Sequence, residues 1–118
     1  MIHKRIKKKL LFICTENIQR SPTAEELVNT SREFSNYVAR SAGISITAEN
    51  QVTKELIAWA DIILVFNEKY DKHKTFILKK FHNIKKSIID LDITDTYTKN
   101  DPTLINILKK KLKKYLGM

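Results

Sequence analysis

Leu10-Leu11-Phe12-Ile13-Cys14 is a short, uninterrupted apolar run, and it gives way to Thr15-Glu16-Asn17-Ile18-Gln19-Arg20 and then to Ser21-Pro22. Five consecutive apolar residues followed by a polar stretch fit a strand buried on both faces. Ser21-Pro22 reads as a helix start, Ser21 as the cap and Pro22 in the first turn. Ala24, Leu27, Val28 and Phe34 give that helix an apolar side. A strand, one loop and a helix therefore follow one another without a break, and the rest of the chain repeats the alternation.

Tyr37–Ala39 is expected as a second strand closed by a Ser41-Ala42-Gly43 turn, and Thr53–Ala60 as a short helix with Leu56, Ile57 and Trp59 inward. Ile62–Phe66 reads as a third, fully buried strand. A helix over Lys69–Phe81 is expected to bury Tyr70, Phe76, Ile77 and Phe81, followed by a strand over Ser87–Leu91 and a polar loop from Asp92 to Asn100. Asp101-Pro102 signals a last helix, with Leu104, Ile105, Leu108, Leu112 and Leu116 along one side. Strands alternating with helices imply an α/β fold, a three-layer αβα arrangement whose four-stranded parallel sheet carries helices on both faces. In such sheets ligands collect at the carboxyl ends of the strands. Cys14 ends the first strand, and Asp92 and Asp95 follow the fourth.

The chain has 118 residues, enough for one domain over 1–118. Its single cysteine excludes an internal disulfide and a cysteine-rich zinc site, and favours a reduced, cytoplasmic setting. His3, His73 and His82 lack ligand-like spacing and read as exposed helix residues, so neither metal nor cofactor is expected. Lys4, Arg5, Lys7, Lys8 and Lys9 before Leu10 imitate a secretory signal, but the apolar stretch is shorter than the ~7–15 residues of such a segment. No apolar run approaches the ~20 residues of a membrane span. The net charge of +9 comes mostly from dispersed lysines with few aromatic residues among them. That pattern fits solvated helix faces better than a nucleic-acid platform.

The chemistry concentrates between Cys14 and Ser21. A loop leaving a strand and entering a helix turns successive backbone N–H groups inward as an anion nest, and the helix start adds partial positive charge. Arg20 brings a planar fork of donors matched to phosphate oxygens. Cys14, at the base of that field, is a candidate nucleophile. Asp92, Asp95 and Asp101 compete as the proton donor. Asp101 is better explained as a helix cap, and mid-loop Asp95 reaches over the nest better than Asp92.

Leu11-Phe12-Ile13-Cys14-Thr15-Glu16-Asn17-Ile18-Gln19-Arg20-Ser21-Pro22-Thr23-Ala24-Glu25 resembles the phosphate-binding loop of low-molecular-weight protein tyrosine phosphatases. Ser41-Ala42-Gly43, Ala60 to Val65 and Asp95-Thr96-Tyr97 resemble further landmarks of that family in the same order, as in its short bacterial members. The resemblance implies the sheet order 2-1-3-4 and hydrolysis of phosphotyrosine proteins or small aryl phosphates, with no membrane partner. It implies Cys14 as nucleophile, Arg20 as phosphoryl clamp and Asp95 as general acid and base. Thr15, Glu16, Asn17, Ile18, Gln19 and Ser21 would surround phosphate or another oxyanion. Tyr97 would flank the substrate ring, and Asn17 and Ser41 would support the loop. Glu16 stands where the family usually has Gly, Gln19 replaces a second cysteine found in eukaryotic members, and Thr96 replaces Pro. Glu16 and Thr96 favour a competing expectation, a phosphate-binding module with little turnover. Arsenate reductases with a related loop use several cysteines, which this chain does not have.

Overall fold

The computed structural model describes residues 6–118. His3, Lys4 and Arg5 lie outside the described residues. Four strands form one parallel sheet: β1 (Lys8–Cys14), β2 (Tyr37–Gly43), β3 (Ile62–Val65) and β4 (Ile88–Asp90), in the order β2-β1-β3-β4. The helices are α1 (Arg20–Thr30), α2 (Lys54–Trp59), α3 (His73–Lys80) and α4 (Pro102–Tyr115). The α/β class and the 2-1-3-4 order are those expected. Among the described residues no helix is long and apolar enough to cross a membrane.

The two-residue period of β1 sorts the interior into two cores. Leu10, Phe12 and Cys14 face one way, onto Ala24 and Val28 of α1 and Leu104, Leu108 and Leu112 of α4. Leu11 and Ile13 face the other way, onto Ile57 of α2 and Ile77 of α3. All five residues from Leu10 to Cys14 are buried. Covered on both faces, β1 must be apolar throughout, which explains its unalternating sequence.

Several local expectations are corrected. Ser41-Ala42-Gly43 is the end of β2, not a turn, because parallel pairing continues opposite Phe12, Ile13 and Cys14. The first helix begins at Arg20 after Gln19, so Ser21 is no cap and Pro22 is the third helical residue, still within the turn that needs no donor. Phe34 belongs to a short 3-10 turn, Arg32–Phe34. The third helix starts only at His73. Asn67 Oδ1 accepts the N–H groups of Tyr70 at 2.6 Å and Asp71 at 3.4 Å, and Lys72 takes a left-handed φ of 55°. These bonds compete with helix formation before residue 73. Tyr70 is consequently exposed rather than core, while Ile77 is buried. The edge strand β4 is three residues, shorter than the expected Ser87–Leu91. Asp101 caps α4 as expected, its carboxylate accepting from Thr103 N–H at 2.8 Å.

Candidate active site

β1 delivers Cys14 to the carboxyl edge of the sheet, and residues 15–19 bend away into α1. Asn17 sits at a φ of 58°. Asn tolerates this left-handed conformation better than most side chains, and here it reverses the chain so that the loop curls over Cys14. Cys14 O and Thr15 O accept from the N–H groups of Ile44 and Ser45, at 3.0 and 2.9 Å, which fastens the loop to the chain leaving β2. The first return bond of α1 runs from Thr23 N–H to Gln19 O. Amides earlier in that turn have no partner within the helix, so they are free to face an anion.

Beneath the loop lies a chain of side-chain contacts. Asn17 Nδ2 donates to Ser21 Oγ and to Ser41 Oγ, each at 2.9 Å. Ser21 Oγ is 2.9 Å from Cys14 Sγ and 3.4 Å from Ala42 O. With a lone pair of Ser21 occupied by Asn17, its hydroxyl proton has the sulfur as its nearer acceptor. That geometry aims a hydrogen-bond donor at Cys14 Sγ. Ser21 is fully buried and Cys14 nearly so, which keeps the arrangement rigid.

Arg20 is only 1% exposed although charged. Its Nη1 donates to Asp71 Oδ2 and to Ile93 O, both at 2.9 Å, and its guanidinium lies 5.8 Å from the Phe66 ring centre. Nε lies 3.6 Å from Asp95 Oδ1 and makes no hydrogen bond among the described residues. A buried charge needs a counter-charge and bonded donors. Asp71 provides both at one edge of the guanidinium.

Cys14, Glu16, Ile18, Gln19, Arg20, Asp95 and Tyr97 line one cavity of about 420 Å³. The structure thus brings together seven of the expected site residues. Thr15, Asn17, Ser21 and Ser41 turn their side chains into the supporting network instead. Asp95 is 58% exposed, in a loop held at both ends. Lys111 Nζ donates to Leu91 O and Asp92 O, and Asn100 N–H donates to Thr23 Oγ1. Asp92 has a left-handed φ of 52°, and its N–H donates to Asp90 Oδ1. It does not line the cavity.

The expectation that His73 is an exposed helix residue is wrong: it is fully buried. Asn67 N–H donates to its Nδ1 at 3.0 Å, which leaves the proton on Nε2, 2.9 Å from Thr15 Oγ1. Burial and the nearby Arg20 charge lower its pKa from 6.5 to about 4. His73 and Asp71 were both missed because they carry no motif. Their signal was positional: both follow the carboxyl end of β3, the edge where β1 and β4 also deliver site residues.

Residues 9–61 match the family model for low molecular weight phosphotyrosine protein phosphatase. No curated protein sequence is similar enough to the chain to count as a match. Among solved structures, the tyrosine phosphatase Wzb from Escherichia coli K30 in complex with phosphate is 21% identical, with a TM-score of 0.72 over 95% of this chain and 98% of that one. Wzb from Vibrio vulnificus in complex with benzylphosphonate is 19% identical, with a TM-score of 0.74 over 94% and 98%. The YwlE arginine phosphatase from Geobacillus stearothermophilus is 24% identical, with a TM-score of 0.62 over 92% and 94%. These likenesses show the fold. The chain thus resembles the low molecular weight phosphotyrosine protein phosphatase family in sequence over residues 9–61 and shares the fold of these phosphatases over most of its length.

Proposed function

We propose that residues 1–118 form one cytoplasmic phosphatase-like domain that hydrolyses phosphotyrosine and related aryl phosphate monoesters through a cysteinyl-phosphate intermediate. The observation that carries this reading is the 2.9 Å contact between Cys14 Sγ and Ser21 Oγ beside a cavity shared with Arg20 and Asp95. Loop amides and Arg20 hold the non-bridging oxygens, with Nε a buried guanidinium donor left without a partner among the described residues. Cys14 sulfur attacks phosphorus as the thiolate, the bond to the aryl oxygen breaks, and Asp95 donates a proton to that oxygen. In the second step water attacks phosphorus and passes a proton to Asp95. The phosphorus–sulfur bond breaks, and sulfur leaves as a thiolate stabilised by the Ser21 hydroxyl. Tyr97 offers its ring as a wall for the aryl group. The scheme calls on no metal or cofactor.

One of the similar structures is an arginine phosphatase, so phosphoarginine belongs in the same assay. The test measures turnover of para-nitrophenyl phosphate, a phosphotyrosine peptide and a phosphoarginine peptide by wild type, Cys14→Ser and Arg20→Ala. Wild type is expected to hydrolyse the aryl esters, Cys14→Ser to be inactive, and Arg20→Ala to be strongly impaired. Turnover retained in Cys14→Ser overturns the mechanism. Phosphotyrosine peptide bound without turnover by wild type favours a binding module instead.

A further inference from the structure

The chain carries a net charge of +9, yet the charged residues lining its candidate active-site cavity are two carboxylates, Glu16 and Asp95, and one guanidinium, Arg20. Arg20 is moreover already paired with Asp71 at 2.9 Å. Among the described residues no lysine lines this cavity. The Glu16 carboxylate is held in place at the rim, where Oε2 accepts from Thr47 Oγ1 at 2.8 Å. Thr47 is itself fixed by Ser45 Oγ, 2.8 Å from its hydroxyl and 3.2 Å from its N–H.

A fixed carboxylate on a phosphate-binding cavity repels the incoming dianion, and it attracts a positive charge carried beside that dianion. The lysines lie outside the cavity lining, the nearest in sequence being Lys99, whose N–H bonds Gln19, and they act through water, where charges are screened beyond ~8 Å at physiological ionic strength. At the cavity mouth the near charge therefore outweighs the distant ones. We propose that Glu16 is a specificity residue that selects phosphotyrosine flanked by a basic side chain, against the preference for acidic peptides that the net charge alone suggests. A neighbouring lysine can bring its ammonium to Glu16 on a flexible four-carbon stem. The inference rests on the phosphatase reading for its substrate, but it concerns charge at the rim and not the chemistry at Cys14.

The test compares kcat/KM for two phosphotyrosine peptides that differ only in bearing Lys or Glu on either side of the phosphotyrosine. It uses wild type and Glu16→Gln at low salt. Gln keeps an acceptor for Thr47 and removes the charge. Wild type is expected to favour the Lys-flanked peptide by about three- to tenfold, the size of one partly screened charge contact. In Glu16→Gln the ratio should fall to one or reverse. Thr47→Val, which frees the carboxylate without neutralising it, should lower the ratio less. A wild-type ratio at or below one, or a ratio unchanged in Glu16→Gln, overturns the proposal. If neither peptide is hydrolysed, the phosphatase reading fails. The same ratio is then taken from the dissociation constants of the two peptides, which decides the role of Glu16 separately.

Discussion

His73 Nε2 lies 2.9 Å from Thr15 Oγ1, so the buried first residue of α3 is joined to the first residue of the loop between β1 and α1. The ring can make this bond and also accept from Asn67 N–H only while it is neutral. Protonation would add a donor on Nδ1 facing another donor, in a site already near the Arg20 guanidinium.

A pH dependence of stability follows. The pKa of His73 is about 4 in the folded chain, against an ordinary 6.5. Between those values the unfolded chain takes up a proton that the folded chain refuses. The stability this group contributes is therefore complete above about pH 6.5 and is lost as pH falls through about 4, an effect of roughly 3 kcal/mol. Denaturant titrations at pH 7, 5.5 and 4 should show wild type losing roughly 2–3 kcal/mol more than His73→Gln over that range. Parallel losses in the two proteins would falsify the assignment.

Gly43 pairs with Cys14 at the end of β2, directly beneath the loop. A Cβ there would stand 2.6 Å from Thr15 O, 2.7 Å from Ala48 Cβ and 3.0 Å from Asn17 N. Two of these neighbours are backbone atoms of the loop itself and cannot swing aside. Gly43→Ala should cost about 1–3 kcal/mol, as overpacking does. The loop's displacement should also weaken vanadate inhibition. Unchanged vanadate inhibition in a destabilised Gly43→Ala would mean that the strain is absorbed on the Ala48 side.

Much of this was legible in the sequence, and what was not has a physical cause. Leu10 to Cys14 read correctly because complete burial leaves no polar residue in the run. The loop was legible because Cys14, Arg20 and Ser21 are local in sequence. Asp95 was placed by its position past the fourth strand. His73, Asp71 and Thr47 escaped because their roles come from tertiary contacts across 58, 51 and 31 residues. The start of α3 was misread because the Asn67 side chain captures backbone N–H groups that periodicity would assign to a helix. Ser21 looked like a cap because Ser-Pro commonly is one; here its hydroxyl faces the sulfur.

Asp71 gives a prediction with two readouts. It is the counter-charge of a guanidinium that is almost wholly out of water, while Asp71 itself remains 29% exposed. Asp71→Asn keeps the shape and removes the charge. Stability should fall by about 1–2 kcal/mol, allowing for the partial exposure of the pair. With Arg20 no longer neutralised, vanadate should inhibit severalfold more tightly at low salt, and that gain should fade as salt rises. Weaker inhibition in Asp71→Asn would show that Asp71 matters chiefly for holding the guanidinium in position.

The two candidate proton donors can be separated by their surroundings. Asp95 lines the cavity with Cys14, lies 3.6 Å from Arg20 Nε and is mostly exposed, so its carboxyl can swing towards a leaving oxygen. Asp92 contributes chiefly its backbone: a left-handed turn, an N–H bonded to Asp90 and a carbonyl bonded to Lys111. Asp95→Asn should lower kcat about 10²–10⁴-fold on phosphotyrosine, the usual contribution of a general acid. The loss should be smaller on para-nitrophenyl phosphate, whose leaving oxygen needs less help from a proton. Vanadate binding should persist or tighten in this variant, because the loop is untouched and Arg20 loses a neighbouring carboxylate. Asp92→Asn should leave kcat nearly unchanged, since Asn accepts the same backbone conformation. A large kcat loss in Asp92→Asn with little in Asp95→Asn would move the proton donor to the start of the loop, at a residue that does not line the cavity.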